Sequence, residues 1–299
     1  MTRKKLWSQR APIFFWTAVR LKRLRRMFVW HCDGRTYARD RLQDNLPFRI
    51  KEHCSVLMRC LAGVDPQLQI NKVTNLRLAV ACLDGVVIRP GEVFSLYRLV
   101  GPPHTGRGFL PGLELSGGRA RAGVGGGLCQ LANLLHWMAL HSPLTVSEHH
   151  HHSYDIFPDD DRVQPFGSGA TLYYNYLDYQ LSNQTPYTFQ FRLAVTDTHL
   201  KGALLSDAEL PETYEVFERN HAYLRQNGTF YRTNELWRRR YVAATGAEIE
   251  TSLLRKNFAE VMYEPKQIAE IIPLAPPSTP CSRPPALPAS ARSRISTVD

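Results

Sequence analysis

A cysteine that follows three consecutive glycines is the first candidate for chemistry in this sequence. Residues 123–130 read Gly-Val-Gly-Gly-Gly-Leu-Cys-Gln, and apolar residues near helical spacing follow, which predicts a loop that enters a helix. Cys129 would then stand in the first turn of that helix. Free amide groups and a partial positive charge at a helix N-terminus favour a thiolate and lower its pKa. The glycines would also let backbone amides approach a ligand or an oxyanion.

Four consecutive histidines follow the predicted helix. They occupy residues 149–152, and alternation along a predicted strand places His150 and His152 on the same face as Glu148. The other two histidines would point to the opposite face. We therefore predict that at most two of the four face one site, and that these are His150 and His152.

The order of these residues suits a thiol hydrolase or acyl transferase. In such enzymes a neutral imidazole takes the thiol proton and a third group orients the imidazole. This hypothesis assigns Cys129 as the nucleophile and His150 or His152 as the base. Asp155 would orient the base, and Gln130 or an amide of the glycine loop would donate a hydrogen bond to the oxyanion.

Other interpretations of the same residues remain open. The glycine loop and the histidine face can hold an anionic group without turnover, and the residues of that binding site would be Gly125, Gly126, Gly127, Glu148 and Ser153. The cysteine and the histidines can also be structural. Within the catalytic hypothesis, Asp178 is a second candidate for the carboxylate that orients the base. Zinc bound by Cys129, His150 and His152 is a further alternative. No second motif has metal-ligand spacing, so we predict no metal and no cofactor.

The rest of the pattern indicates which elements position these residues. Residues 50–62 and 75–83 have helical patterns, residues 188–195 alternate as a strand, and Asn227-Gly228 indicates a hairpin. Helices early and strands later favour an α+β fold, which we predict as a single mixed domain over residues 46–265. It would hold an antiparallel β-sheet and a central helix after the glycine-rich loop.

The positive charge lies at one end of the chain. The net charge is +10, but residues 1–60 hold 15 Lys and Arg against four Asp and Glu, and the other 239 residues hold 22 against 23. Residues 1–45 are predicted as a basic amphipathic segment, with a helix over residues 11–30 that packs on the body or contacts anionic lipid. Because the body is nearly neutral, no nucleic acid partner is expected.

The two ends also bear on localisation and domain limits. Residues 266–299 are rich in proline and are predicted to form a disordered tail. No apolar run approaches the ~20 residues of a membrane-spanning helix, and the basic N-terminus lacks small residues where a signal peptide would be cleaved. We therefore expect a cytoplasmic protein that can touch the inner membrane face.

Several long motifs occur in a fixed order along the chain. They cover residues 90–95, 100–102, 125–133, 148–155, 157–159, 165–171 and 174–176. In this order the motifs resemble those of the VanW-like family, a family of vancomycin B-type resistance accessory proteins. The resemblance spans about residues 50–205 and continues more faintly to about residue 263.

The resemblance matches the candidate residues one by one. The family's cysteine and glutamine fall on Cys129 and Gln130, and its two histidines fall on His150 and His152. The family pattern Glu-Arg-His-x-His-Ser departs at His149, which replaces the arginine and so removes a guanidinium able to clamp phosphate or carboxylate.

The resemblance implies a bacterial protein associated with glycopeptide resistance and cell-envelope processes, but it supplies no reaction. Whether the protein is an enzyme is therefore left open. The first hypothesis is thiol-dependent acyl transfer or hydrolysis on a cell-wall precursor. The alternative is a module that binds an anionic ligand, which would be a small molecule or a peptidoglycan precursor.

Overall fold

Short strands and helices precede three long antiparallel strands in the computed structural model. The structure describes residues 12–58, 65–116, 119–151, 154–156, 164–174 and 177–265. The helices are α1 (Pro12–Cys32), α2 (Pro66–Leu83), α3 (Leu96–Val100) and α4 (Cys129–Leu140). The strands are β1 (Thr36–Tyr37), β2 (Phe48–Val56), β3 (Val87–Ile88), β4 (Glu92–Ser95), β5 (Pro111–Ser116), β6 (Arg119–Val124), β7 (Thr145–Glu148), β8 (Tyr154–Asp155), β9 (Gln180–Ser182), β10 (Phe189–Val195), β11 (His199–Ser206), β12 (Glu212–Gln226), β13 (Thr229–Val242) and β14 (Glu248–Val261).

The strands of the described residues form three four-stranded sheets and one two-stranded ribbon. The sheet orders are β1-β4-β9-β7, β2-β11-β10-β3 and β12-β13-β14-β8, and β5 pairs with β6. Most pairs are antiparallel, and the short strands β1 and β8 add parallel pairs to β4 and β14. Helices and mainly antiparallel sheets make an α+β fold, which confirms the predicted fold class.

Helix α4 lies at the centre of this arrangement. On one side it packs against β2 and β11, where Gly202 leaves room for the side chains of Leu134 and Met138. On another side Trp137 and Leu140 form a small apolar cluster with residues of β12 and β13. The helix that follows the glycine loop therefore joins the main core to the long sheet, as the sequence predicts for a central helix.

Three other predicted elements are also confirmed. Helix α1 spans Pro12–Cys32, and α2 begins earlier than expected because Asp65 caps it by accepting a hydrogen bond from the Gln67 amide at 2.8 Å. The β12–β13 hairpin turns at Asn227 and Gly228, whose φ angles of 48° and 80° are those that a tight two-residue turn needs.

The helix predicted over residues 50–62 is wrong. Residues 48–56 form strand β2, which pairs with β11 across the whole length of β11, and residues 59–64 lie outside the described residues. Sequence-distant pairing with β11 outweighs the local helical pattern.

The ends of the chain are only partly described. The tail over residues 266–299 lies outside the described residues, so its disorder and the predicted limits of the domain stay predictions. Within the described part of the chain, no helix has the length and apolar character to cross a membrane.

Candidate functional site

A cavity of about 940 Å³ runs along one face of α4. Cys129, Gln130 and Asn133 line it from the helix. Its other walls come from the glycine loop, the β5–β6 ribbon, residues 164–174 and β14. The cavity therefore has a thiol end beside Cys129 and a histidine end about two helical turns away, near His136.

Cys129 begins α4, in the first helical turn as the sequence predicts. The pKa of its thiol is nevertheless raised. Burial is the main cause and the carboxylate of Glu114 adds to it, while a hydrogen bond from the Leu172 amide works in the opposite direction. Desolvation thus outweighs the helix terminus, and the expectation of a lowered thiol pKa is wrong.

Glu114 is a second acidic group at the thiol end. Burial raises the pKa of its carboxyl group, and Arg121 partly offsets this from 3.3 Å. The carboxyl group occupies the space that a side chain at Gly123 would fill. Arg121 also donates to the hydroxyl of Tyr173 at 2.6 Å. Glu114 carries no signal in the sequence, because its closeness to Cys129 depends on how the β5–β6 ribbon packs.

The glycine loop is shaped by contacts with its own chain. The amide of Gly125 donates to Leu110 at 3.0 Å, and the amide of Gly126 donates to Gly123 at 2.9 Å. These internal bonds occupy two of the amides that the sequence offers to a ligand. The three glycines still line the cavity, so their predicted role in ligand binding remains untested.

Close packing explains why this loop needs glycine. Gly125 and Gly127 have φ angles of 82° and 95°, a region that other residues rarely adopt. Gly126 lies directly against the backbone of Gly112, where a Cβ would collide with the carbonyl group. The fully buried Asn75 donates to the carbonyl oxygen of Gly126 at 2.9 Å and secures the loop.

His150 points away from the thiol. Its Nε2 lies 3.0 Å from the carboxylate of Glu148, which also forms a two-bond ion pair with Arg26 of α1 at 2.6 and 2.7 Å. Burial acts to raise the pKa of Glu148, but Arg26, the Asp178 amide and His150 together lower it. Glu148 and His150 therefore serve the α1 contact, and neither lines the cavity.

The histidines of the opposite face lie nearer the cavity. His149 stacks on His136 of α4 with ring centroids 3.9 Å apart, and it forms a T-shaped pair with His151 whose ring centroids are 4.0 Å apart. His151 lines the cavity. The alternation expected from the sequence is present, but His150, which we predict to face the site, faces elsewhere. The other predicted histidine, His152, and Ser153 lie outside the described residues.

Arg255 of β14 brings a positive charge to this histidine end. It lines the cavity, and it lies close enough to His136 to help lower the pKa of that buried imidazole, after burial and the two other histidines. Partial burial also lowers the pKa of Arg255 itself. Among the described residues no carboxylate pairs with it.

The charge of the cavity is positive on balance. Five basic residues line its described wall: Arg23, Lys72, Arg121, Arg255 and Lys256. Of these, Lys256 is already paired with Glu235, outside the cavity, at 2.8 Å. The acidic side chains of that wall are Glu114, which pairs with Arg121, and Asp155, which pairs with the buried Arg232 at 3.1 Å. An anion is therefore the ligand that the described wall attracts.

The remaining candidates hold elements together. Asp155 accepts hydrogen bonds from Arg232 and Tyr263 and links β8 to the long sheet. Gln130 donates to the Ser55 hydroxyl and the Val56 carbonyl, both at 2.9 Å, and ties α4 to β2. The structure does not bring either of them to a cysteine–histidine pair.

Asp178 lies within another buried network. It accepts hydrogen bonds from the Ser95 hydroxyl at 2.5 Å and from the Tyr97 amide at 2.9 Å. Burial raises the pKa of this carboxyl group despite those donors. Within the described part of the chain, no group of three or more His, Cys, Asp or Glu side chains is arranged to hold a metal ion.

Comparison with known proteins places the chain in a family. The family model described as VanW like protein matches residues 71–205. The vancomycin B-type resistance protein VanW of Enterococcus faecalis is 30% identical over 267 residues, which cover 88% of this chain and 95% of that protein. The chain belongs to the VanW-like family. An uncharacterized protein of Bacillus subtilis, YoaR, is 26% identical over 110 residues, or 37% of this chain and 35% of YoaR. No solved structure matches.

Beside the histidine end of the cavity lies His149, the residue at which this sequence departs from the motif expected of the VanW-like family. His149 is the position at which the sequence resemblance leads us to expect an arginine, and here its ring is stacked on His136. Sequence spacing could have identified His136, since it lies seven residues after Cys129 and so on the same helical face. Arg255 gave no such signal, because only the folded β14 brings it to this place.

Proposed function

We propose that this protein contributes to glycopeptide resistance by binding an anionic cell-wall precursor in the cavity along α4, without turning it over. The observation that carries the proposal is Arg255, a partly desolvated guanidinium at the cavity wall that no carboxylate neutralises among the described residues. A guanidinium in this state gains most from a bidentate carboxylate or phosphate ligand.

The thiol end supports binding rather than catalysis. A nucleophile needs a lowered pKa or an adjacent base, whereas burial and Glu114 raise the pKa of Cys129. Among the described residues, which do not include His152, no histidine is among the groups that shift the pKa of this thiol. The catalytic assignment of Cys129, His150, His152, Asp155 and Gln130 accordingly receives less support than the binding hypothesis.

The ligand class follows from the same groups. Peptidoglycan stem peptides end in a carboxylate, and the chemistry of Arg255 suits that group. We expect His151, which lines the same wall, to add a hydrogen bond. The half-buried Glu114 at the other end would accept hydrogen bonds from the peptide's amide or ammonium groups.

The test is calorimetric titration of the full chain with a soluble stem peptide, with a C-terminally amidated copy as the comparison ligand. Arg255→Gln should weaken binding of the free acid at least about tenfold, since hydrogen bonds to charged groups contribute roughly 1.5–3 kcal/mol. The exposed Arg225, which lies outside the cavity, offers the matched control Arg225→Gln, which should bind like the wild type.

Two results would contradict the proposal. One is equal affinity of the wild type and Arg255→Gln for the free acid. The other is cleavage or transfer of the peptide, seen by mass spectrometry, that Cys129→Ser abolishes, because this would return the thiol to the reaction. A supporting result is that amidation weakens binding to the wild type but leaves the affinity of Arg255→Gln unchanged.

A further inference from the structure

Helix α1 packs on the body of the protein through a face that contains charged residues. Its inner face carries Arg26, bound to Glu148, and Arg23, whose guanidinium lies 5.2 Å from the ring centre of Tyr174. Val19 and Trp30 are buried beside them. The face that docks on the protein is therefore held by charged contacts at its middle, with apolar contacts toward its two ends.

The outer face of α1 is apolar at its centre. Leu21, Leu24 and Phe28 follow one another at spacings of three and four residues, which places them on one side of the helix. Their exposed fractions are 60%, 61% and 68%. We call these three residues the outer stripe.

Basic side chains flank the outer stripe. Arg20, Lys22 and Arg25 are exposed, and α1 contains no Asp or Glu at all. Residues 1–11, which precede the helix, add four Lys and Arg and no acid. An apolar stripe between cations is the pattern of a helix that lies in the interface of an anionic bilayer.

We propose that the outer stripe of α1 docks on anionic lipid. Leucine and phenylalanine would enter the boundary between headgroups and acyl chains, and Arg20 and Arg25 would bind the headgroups. A second copy of the chain fits this face poorly, because a two-fold contact through the stripe brings the same basic flanks against each other. Trp16, Val19 and Arg23 of α1 also line the cavity, so docking would leave the cavity about one helix diameter, ~10 Å, from the bilayer surface.

Vesicle sedimentation of the full chain tests this proposal. The probe is phosphatidylethanolamine vesicles with about 30% phosphatidylglycerol, and pure phosphatidylcholine vesicles are the neutral comparison. Replacing Arg20 and Arg25 by Gln should lower the partition coefficient about thirtyfold, and Leu21→Gln with Leu24→Gln should lower it at least as much. The control removes two exposed positive charges elsewhere, Arg77→Gln with Arg225→Gln, and should stay within about twofold of the wild type.

The outcomes separate the possible occupants of the stripe. Docking on anionic lipid is supported if the leucine variant and the arginine variant both bind the vesicles more weakly, and if about 0.5 M salt reduces binding of the wild type. Equal binding by all variants overturns it. The proposal is also overturned if the wild type does not bind vesicles but forms dimers in sedimentation equilibrium, and if Leu21→Gln with Leu24→Gln dissociates those dimers. The outer stripe would then bind a second copy of the chain. Arg255→Gln should bind vesicles like the wild type, so this test stands apart from ligand binding in the cavity.

Discussion

The thiol end and the histidine end of the cavity along α4 both carry side chains that could do chemistry. They differ in how far their polar groups are paired within the chain. At the thiol end, polar groups meet partners within the chain: Gly125 and Gly126 donate to nearby carbonyls, and Glu114 pairs with Arg121. At the histidine end, His136 is buried against other imidazoles and near Arg255. The first end is internally satisfied, and the second holds positive charge that is only partly compensated.

This difference indicates what each end contributes. A site whose donors are already paired and whose thiol has a raised pKa is stable and inert. A guanidinium without a carboxylate partner among the described residues, beside the His136 imidazole that burial keeps neutral, is a place where an anion gains interaction energy. We infer that the glycine and cysteine motif builds the wall of the cavity and that the histidine end selects the ligand.

The largest effect that sharpens this comparison is expected at Gly126. A methyl group there collides with the backbone of Gly112, and backbone cannot move aside as a flexible side chain does. Gly126→Ala should lower the free energy of unfolding by about 3 kcal/mol or prevent folding.

Gly169 offers the matched control, because a Cβ there makes only ordinary contact with Asn133, at 3.5 Å. Urea unfolding of both variants gives the measurement. If Gly126→Ala is as stable as Gly169→Ala but loses ligand affinity, the glycine loop binds ligand, and our assignment of the thiol end to structure is wrong.

Local patterns in the sequence were enough for several parts of the fold. Helix α4 with Cys129 in its first turn, the alternation of β10, and the Asn227-Gly228 turn depend on neighbours in sequence, and they are found as expected. Strand β2 was missed because its partner β11 lies about 150 residues away. Local preference cannot report such a pairing.

The site was predicted less well than the fold, for a related reason. The helix terminus was expected to lower the pKa of Cys129, but how deeply the sulfur is buried depends on how the chain packs around it, including the Leu172 amide. Which histidines face the cavity also depends on packing. Arg26 of α1 binds Glu148, and Glu148 binds His150, so His150 faces α1 and not the cavity. Arg255 is contributed by the last strand, far away in sequence.

A second, smaller effect concerns the pH dependence of stability at the C-terminus of α4, outside the cavity. Burial lowers the pKa of His141, which ends α4, to about 4, although a hydrogen bond to the Trp137 carbonyl opposes this. Because its folded-state pKa lies below the usual 6.5, the unfolded chain binds more protons between these values. Stability from this group is therefore complete above about pH 6.5 and is lost as the pH falls toward 4.

We expect His141 to account for about 2 kcal/mol of the stability lost between pH 7 and pH 5. His141→Gln should flatten the pH dependence by that amount, whereas replacing the exposed His104 by Gln should leave it unchanged. Urea unfolding at both pH values measures the two slopes. Equal slopes for the wild type and His141→Gln would show that the imidazole is not protonated differently in the two states.

The smallest effect is expected at Cys129 itself, and it decides whether the thiol end is inert. Burial and the Glu114 carboxylate keep the thiol protonated, so alkylation near neutral pH should be at least about tenfold slower at Cys129 than at the exposed Cys54 in the same cavity. Cys129→Ser should cost only about 1 kcal/mol of stability, because the hydroxyl can accept the same hydrogen bond from the Leu172 amide. Time-resolved labelling with peptide mass spectrometry compares the two thiols within one sample, so differences in folding cannot mimic the result. Faster labelling of Cys129 than of Cys54 would mean that a base activates the thiol in solution, and the thiol end would then resume the catalytic role that its motif first indicates.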